Sequence, residues 1–155
     1  MADRIAVMRE GRFDQIDTPD TLFHLPSTPF VATMAGAGDF LSAEIRGDRA
    51  VTVIGDLPWT AANGPSPAGD RAMLLVRADD FDLAPDPEGG SEVVSREFRG
   101  DGIVLTVRLS SGATIRCRQH HFSTLTPGTR VSLTRSRSEP LIAFAQADME
   151  AHGPR

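Results

Sequence analysis

Between residues 92 and 144 apolar and polar side chains alternate with a period of two, and this pattern constrains the fold more than any other feature. Ile103, Leu105, Val107 and Leu109 alternate with Val104, Thr106 and Arg108. Successive side chains of a strand point to opposite faces, so this stretch reads as an antiparallel strand with one buried face. The chain around it is punctuated at regular intervals. Glu92 to Arg99 precede the tight turn Gly100-Asp101-Gly102. Ser110-Ser111-Gly112 returns the chain into a second alternation, Ile115 and Cys117 against Thr114, Arg116 and Arg118. Pro127-Gly128 precedes Val131 and Leu133, and Ser138-Glu139-Pro140 precedes Leu141 to Phe144. Five short strands at this spacing predict a small closed barrel of the OB type.

Upstream, Leu41 to Ile45 and Arg49 to Ile54 read as a hairpin turning at Gly47-Asp48, and Ala72 to Arg77 as a further strand. Residues 55–70 are dense in Gly, Pro, Asn and Ser and predict an exposed loop anchored by Trp59. Residues 84–91 predict a second polar loop, and 146–155 a frayed polar tail. At the start, Ile5 to Met8 suits a strand buried on both faces. Glu10-Gly11 turns it into a return strand over Arg12 to Ile16. Thr18 is a good N-cap, with Pro19 at the first helical position and Asp20 in the first turn. Pro26 stops that helix. Ser27 or Thr28 caps the next, with Pro29 at its start and Phe30, Val31 and Met34 on one face.

Composition removes several function classes. No apolar run approaches the ~18 residues of a membrane span, and no apolar h-region follows Met1-Ala2-Asp3-Arg4, so no signal peptide is expected. Cys117 is the single cysteine, which precludes an internal disulfide and agrees with a reducing cytoplasm. All 16 basic residues are arginine. A phosphate-binding P-loop needs a lysine to reach the β- and γ-phosphates, so this chain carries no Walker A site. It lacks a Walker B strand as well, and no catalytic residue is assigned. Charge is unevenly spread: residues 1–95 hold seven arginines and sixteen acids, whereas 96–137 hold eight arginines against Glu97 and Asp101. A basic half suits an anionic ligand or nucleic acid, or is the solvated face of a sheet.

Particular residues carry a resemblance. Ala2 to Met8, Gln15-Ile16-Asp17-Thr18-Pro19, Leu22-Phe23 and Phe30-Val31-Ala32 together resemble the end of the nucleotide-binding domain of ABC importer ATPases. The branch is the one that carries a C-terminal TOBE domain and serves ferric iron, polyamine and similar importers. Val76-Arg77-Ala78-Asp79-Asp80 resembles the Val/Ile-Arg-Pro-Glu-Asp/His motif of TOBE domains. The departures are Asp17 for Gly, Phe23 for Tyr, Asp39 where Asn is common, Ala78 for Pro and Asp79 for Glu. The resemblance implies a mainly β fold, an OB-like TOBE barrel preceded by a short strand-hairpin-two-helix segment. Residues 1–38 would be a remnant of the nucleotide-binding domain, 39–147 the TOBE domain and 148–155 a tail, with Gly36-Ala37-Gly38 as hinge. It implies further that the ABC signature, ATP and Mg belong to a domain upstream of Met1, so the chain would be the tail of an ATPase without its motor. Residues 1–35 would then have to cover another surface, swap onto a second chain or stay mobile. The implied role is regulatory and dimerising: a homodimer, cytoplasmic and peripheral to the inner face of the membrane, reaching the permease subunits through the intact ATPase.

Candidate site residues are few. Arg77 and Asp79, with Arg108, Arg116 and Arg118 of the basic half, could hold a regulatory ligand, such as an oxyanion or small metabolite. Arg77 beside two carboxylates more simply shapes the corner after its strand. Cys117, His120 and His121 give three soft donors where a closed zinc site needs four. Adjacent histidines on a strand point to opposite faces, and Cys117 suits the core, so no metal is assigned. Ser110, Ser111 and Ser123 lie near these histidines without a nucleophile elbow or an ordered acid. Gly36-Ala37-Gly38 lacks the strand and third glycine of a dinucleotide fingerprint. An OB-type single-strand binder needs stacking aromatics. Only Phe98, Phe122 and Phe144 are available after residue 92, and at least two of them are expected in the core, so no nucleic acid is expected.

Overall fold

The computed structural model describes residues 3–36, 38–62 and 70–152, with side chains as far as 149. A hairpin of β1 (Ile5–Arg9) and β2 (Arg12–Asp17) leads to α1 (Pro19–His24) and α2 (Pro29–Ala35). Next come β3 (Gly38–Arg46), β4 (Arg49–Thr52), β5 (Gly55–Ala61) and β6 (Arg71–Arg77). A second group follows: β7 (Phe81–Pro85), β8 (Ser91–Phe98), β9 (Ile103–Arg108), β10 (Thr114–Gln119) and β11 (Arg130–Arg135). The described chain ends with β12 (Leu141–Ala145) and α3 (Gln146–His152).

The N-terminal elements follow local chemistry. Glu10 and Gly11 have φ of 50° and 77°, the left-handed pair that a two-residue hairpin turn uses. Thr18 accepts the Thr21 N–H at 3.2 Å and Thr28 accepts the Val31 N–H at 3.2 Å, each ahead of a proline. Thr28, not Ser27, is therefore the second cap. Gln15 fixes the link between the helices. Its side-chain amide donates to the Leu25 carbonyl at 3.2 Å and accepts from the Ser27 N–H at 2.8 Å. The buried face of α2 is Pro29, Val31 and Ala32, and Met34 faces outward. This differs from the expected Phe30, Val31 and Met34 because two neighbours compete for a helix of two turns. Val31 packs with Val7 and Leu22, while Ala32 packs with Leu75 and Phe144. β1 buries only Val7, leaving Ile5 and Met8 exposed. It was expected to be buried on both faces, but its described neighbours cover one. The helical segment itself covers the barrel wall.

The fold is mainly β, with a closed five-stranded barrel in the order β12-β5-β4-β3-β6. The strands that close it are not the five read from residues 92–144. Of those only β12 belongs to the barrel, and the other four join β7 in a second sheet, β10-β9-β8-β11-β7. The reason is a long-range pairing: β12 inserts between β5 in parallel and β6 in antiparallel register, Leu141 opposite Trp59 and Ala143 opposite Leu74. β5 itself was expected to be loop, because Gly55 and Pro58 punctuate it. Residues 63–69 of that expected loop lie outside the described residues, as does Ala37 of the expected hinge. β7 takes the first part of the expected 84–91 loop, pairing Leu83 with Leu133. The expected frayed tail begins instead as α3. The Asp148 carboxylate accepts the Ala145 N–H at 3.2 Å, a reach-back cap from the third helical position, and α3 packs on α2 and β6.

One core joins the two β units. Leu41, Leu74 and Val76 of the barrel meet Val93, Ile103, Leu105, Val107, Ile115 and Val131 of the second sheet. The alternation in β9 points Ile103, Leu105 and Val107 into this core, as its period requires. Fully burying such a side chain stabilises by about 1.5–3 kcal/mol. Of the three late phenylalanines only Phe144 is buried, whereas Phe98 is 64% and Phe122 78% exposed. Phe98 is the last residue of β8, opposite Ile103 and past the register shift between Val93 and Ser95, and Phe122 lies in the turn after β10, which a strand period does not describe. Two of three in the core was thus the wrong expectation.

Candidate functional site

The corner after β6 is closed by Asp80. Its carboxylate accepts the Arg77 N–H at 2.7 Å, and its own N–H donates to the Arg77 carbonyl at 3.0 Å. The Arg135 guanidinium lies 3.3 Å from the same carboxylate and over the Phe81 ring at 5.3 Å. Arg77 therefore does sit in a shaped corner, but Asp79 is not its partner. Asp79 pairs with Arg137 instead.

The Arg77 guanidinium leaves the corner and crosses to the helical segment. It is 8% exposed. It donates to the carbonyls of Ala32 at 3.2 Å, Phe23 at 3.1 Å and Gly36, and its carbon lies 4.3 Å from the centre of the Phe23 ring. Phe23 is in the last turn of α1, and Ala32 and Gly36 are at the end of α2. The last carbonyls of a helix have no intrahelical donor and carry the negative end of its dipole. Two such ends meet one cation here. Burial pushes the Arg77 guanidinium below its ordinary value, opposed by Asp80 and Asp79. An arginine starts so high that it keeps its proton.

Two glycines make room for this side chain. A methyl group on Gly36 would stand 2.8 Å from the Phe23 ring and 3.4 Å from Arg77 Nη1. On Gly38 it would stand 2.6 Å from Leu75 Cδ1 and 3.2 Å from the same Nη1. Gly36 has an extended φ of 171°, so close approach, rather than backbone freedom, is what requires glycine there.

A second arginine holds the far side of the crossover. The Asp39 carboxylate accepts the Arg116 backbone N–H at 2.7 Å, Nε at 3.1 Å and Nη2 at 2.9 Å, and Arg116 Nη2 also reaches the Gly38 carbonyl at 3.2 Å. Hydrogen bonding to Asp39 raises the Arg116 pKa above its ordinary value. β10 is an edge strand of its sheet, so its outward N–H groups need partners from elsewhere. Asp39 serves Arg116, and the Ala78 carbonyl serves the Arg118 N–H at 2.5 Å.

These residues line a cleft of about 680 Å³ with Arg77, Arg99, Arg116 and Arg118 against Asp39, Asp79 and Asp101. Four of the five residues singled out in the sequence, Arg77, Asp79, Arg116 and Arg118, thus come together. Arg118 is paired with Asp101 at 2.8 Å and Arg99 with Glu97 at 2.9 Å. Arg108 lies apart, paired with Glu92 at 2.9 Å beside a smaller cleft that includes Arg130. Phe23, Asp39 and Asp80 were missed as site residues. Asp39 was visible only as a departure from the family pattern.

Cys117 is buried in the shared core, which pushes its thiol up to about 12. His120 and His121 follow β10 in the turn and do not alternate across a strand. Their rings lie 4.0 Å apart, with Phe122 4.0 Å from His121. Among the described residues no group of three or more His, Cys, Asp or Glu is placed to hold a metal ion. No described helix is long and apolar enough to cross a membrane.

Comparison with known proteins agrees with this architecture. Residues 74–138, from β6 through the second sheet, match the TOBE domain family. The chain is 37% identical over 138 residues to the Fe(3+) ions import ATP-binding protein FbpC 1 of Rhodococcus jostii, covering 85% of this chain and 39% of that protein. It is 31% identical over 125 residues to the spermidine/putrescine import ATP-binding protein PotA of Methylococcus capsulatus, covering 75% and 32%. It is 33% identical over 136 residues to the sulfate/thiosulfate import ATP-binding protein CysA of Bradyrhizobium diazoefficiens, covering 86% and 38%. The chain therefore spans well under half the length of these relatives. It carries a TOBE domain and is homologous to the C-terminal region of ABC importer ATP-binding proteins.

Proposed function

We propose that this chain is the non-catalytic regulatory and dimerisation part of an ABC importer ATP-binding subunit, acting in ATP-driven solute uptake. The observation that carries the reading is a TOBE match at 74–138 inside a chain that aligns with import ATP-binding proteins over most of its length. The absence of lysine supports the non-catalytic part, because phosphate capture by a P-loop is then unavailable. The exposed Ile5, Met8, Phe13 and Ile16 of the β1–β2 hairpin support docking on an ATPase sheet. In this reading the boundary between the two modules falls at residues 38–39. ATP and Mg belong to the ATPase domain, permease subunits are reached through it, and the subunit lies at the cytoplasmic face of the membrane. The imported solute is of the ferric iron or polyamine kind, by analogy with the relatives' names.

Two measurements test this. Light scattering across a range of concentrations should give twice the chain mass, and a monomer throughout would overturn the pairing role. ATP turnover by the purified chain would overturn the non-catalytic one.

A second reading, a small-ligand sensor, is favoured by one observation, the cleft holding four guanidinium groups. An anion bound there would stabilise the fold by about 2.7 kcal/mol at one hundred times its dissociation constant. A thermal-shift series with sulfate, phosphate and small carboxylates should single out one compound. Equal and negligible shifts for all of them would remove this reading.

A further inference from the structure

We infer that the junction of α2 and β3 is pinned at its two described ends, at Gly36 by Arg77 and at Gly38 and Asp39 by Arg116, so that the helical segment and the barrel move as one body. The sequence suggested a hinge at this point, because glycines stand at 36 and 38. The contacts point the other way. Arg77 grips the Gly36 carbonyl from β6, and Arg116 grips the Gly38 carbonyl and the Asp39 carboxylate from β10. The two described ends of the junction are thus held from two different sheets. The glycines serve the grip, since a side chain at either position would run into Arg77 or the residues packed beside it.

The chemistry of Arg77 explains its strength. A buried cation usually has a carboxylate partner. Among the described residues none stands in an ion pair with the Arg77 guanidinium, and carbonyls at the ends of α1 and α2 take that place. Six- and seven-residue helices are too short to persist alone. Their C-terminal carbonyls are satisfied from the barrel, so the segment 18–36 is ordered by the barrel rather than joined to it afterwards. Resting on the functional reading above, this makes Arg77 a positioning residue: displacement of the helical segment by a nucleotide domain is passed to β6 and β10 and is not absorbed between them.

Hydrogen exchange, read by mass spectrometry on the full chain, tests the pin. Arg77→Met should speed exchange of amides in 19–36 at least about tenfold, the consequence of losing one charge-assisted hydrogen bond. Amides of β3, β6 and β9 should stay within about twofold of the parent. Arg77→Lys should not restore protection, because a single ammonium cannot span three carbonyls set around a planar fork. Arg108→Met, at a remote exposed pair, should leave all segments unchanged. Unaltered protection of 19–36 in Arg77→Met would overturn the inference, and so would an equal loss throughout the barrel, which would make Arg77 an ordinary core residue. If Arg77→Met does not fold, Gly36→Ala supplies the same decision, since its methyl pushes the Phe23 ring off the guanidinium and should loosen 19–36 alone. None of these readouts depends on dimerisation or transport, so failure of the pin and failure of the proposed function are separately visible.

Discussion

Replacing Asp39 by alanine removes the only described carboxylate that ties the barrel to the edge of the second sheet at Arg116. Three Arg116 donors converge on it, at 2.7, 3.1 and 2.9 Å. A hydrogen bond to a charged group contributes about 1.5–3 kcal/mol when shielded from water. The side chains of Arg116 and Asp39 are 40% and 21% exposed, so the two guanidinium bonds are discounted to about 1 kcal/mol together. The backbone N–H is another matter, because no described strand pairs with that edge of β10 and the donor is left without its acceptor. Its loss adds about 1–2 kcal/mol. Asp39→Ala is therefore expected to destabilise by about 2–3 kcal/mol, which for a domain of this size lowers Tm by roughly 4–12 °C. Urea denaturation followed by circular dichroism should show a lower midpoint at unchanged slope. Glu92→Ala, which removes an exposed pair with Arg108, should cost below about 0.5 kcal/mol. Asp39→Ala falling in the same range as Glu92→Ala would refute the reasoning. So would simple additivity of Asp39→Ala with Arg116→Met, where a coupling of at least about 1 kcal/mol is expected.

Other substitutions separate the remaining contributions. Leu105→Ala opens a cavity in the core shared by the two β units and should cost about 2–5 kcal/mol by urea denaturation. Gly38→Ala should cost about 1–3 kcal/mol from the contact with Leu75, and part of that should be relieved in combination with Leu75→Ala. Cys117 has a folded-state pKa pushed up to about 12 by burial, against an ordinary value near ~8.5. A raised thiol pKa means that the folded state holds its proton longer than the unfolded one. The associated stability is complete below about pH 8.5 and is lost as pH rises toward about 12. The chain has neither lysine nor tyrosine, so no other side-chain type ordinarily titrates in that window. Unfolding free energy should fall across it, and Cys117→Ala should flatten the fall. A profile unchanged by that substitution would count against burial of the thiol.

The elements themselves were largely readable, because they depend on residues close in sequence. Thr18-Pro19 and Thr28-Pro29 start helices by capping chemistry confined to one turn. Glu10-Gly11 makes a hairpin by backbone conformation at two residues, and the alternation from Ile103 to Leu109 gives a strand with one buried face. Gly55 and Pro58 misled, since the same residues that end a strand also occur within one when its neighbours are supplied by distant chain. Phe98 misled because it is the last residue of β8, past the register shift between Val93 and Ser95, and Phe122 because a hydrophobic residue beyond the end of a strand has no face assigned by period. Within the candidate site Arg116 and Arg118 were legible as part of a charge excess and Arg77 through the motif at 76–80, while Asp39 and Phe23 carried no periodic or compositional signal.

The sequence by itself determined a mainly β chain with two short helices ahead of it, no lysine for phosphate capture, and the motifs shared with import ATP-binding proteins. Periodicity says that a strand has an inner face but not which strand lies beside it. Only the tertiary structure decided that β12 closes a barrel with β5, four of whose strands come from residues before 78. Only the tertiary structure brought Arg77 to the carbonyl ends of two helices and Asp39 to an unpaired strand edge. Those partners are set by where the folded backbone leaves a donor or acceptor unsatisfied, a quantity that does not exist until the chain has closed on itself.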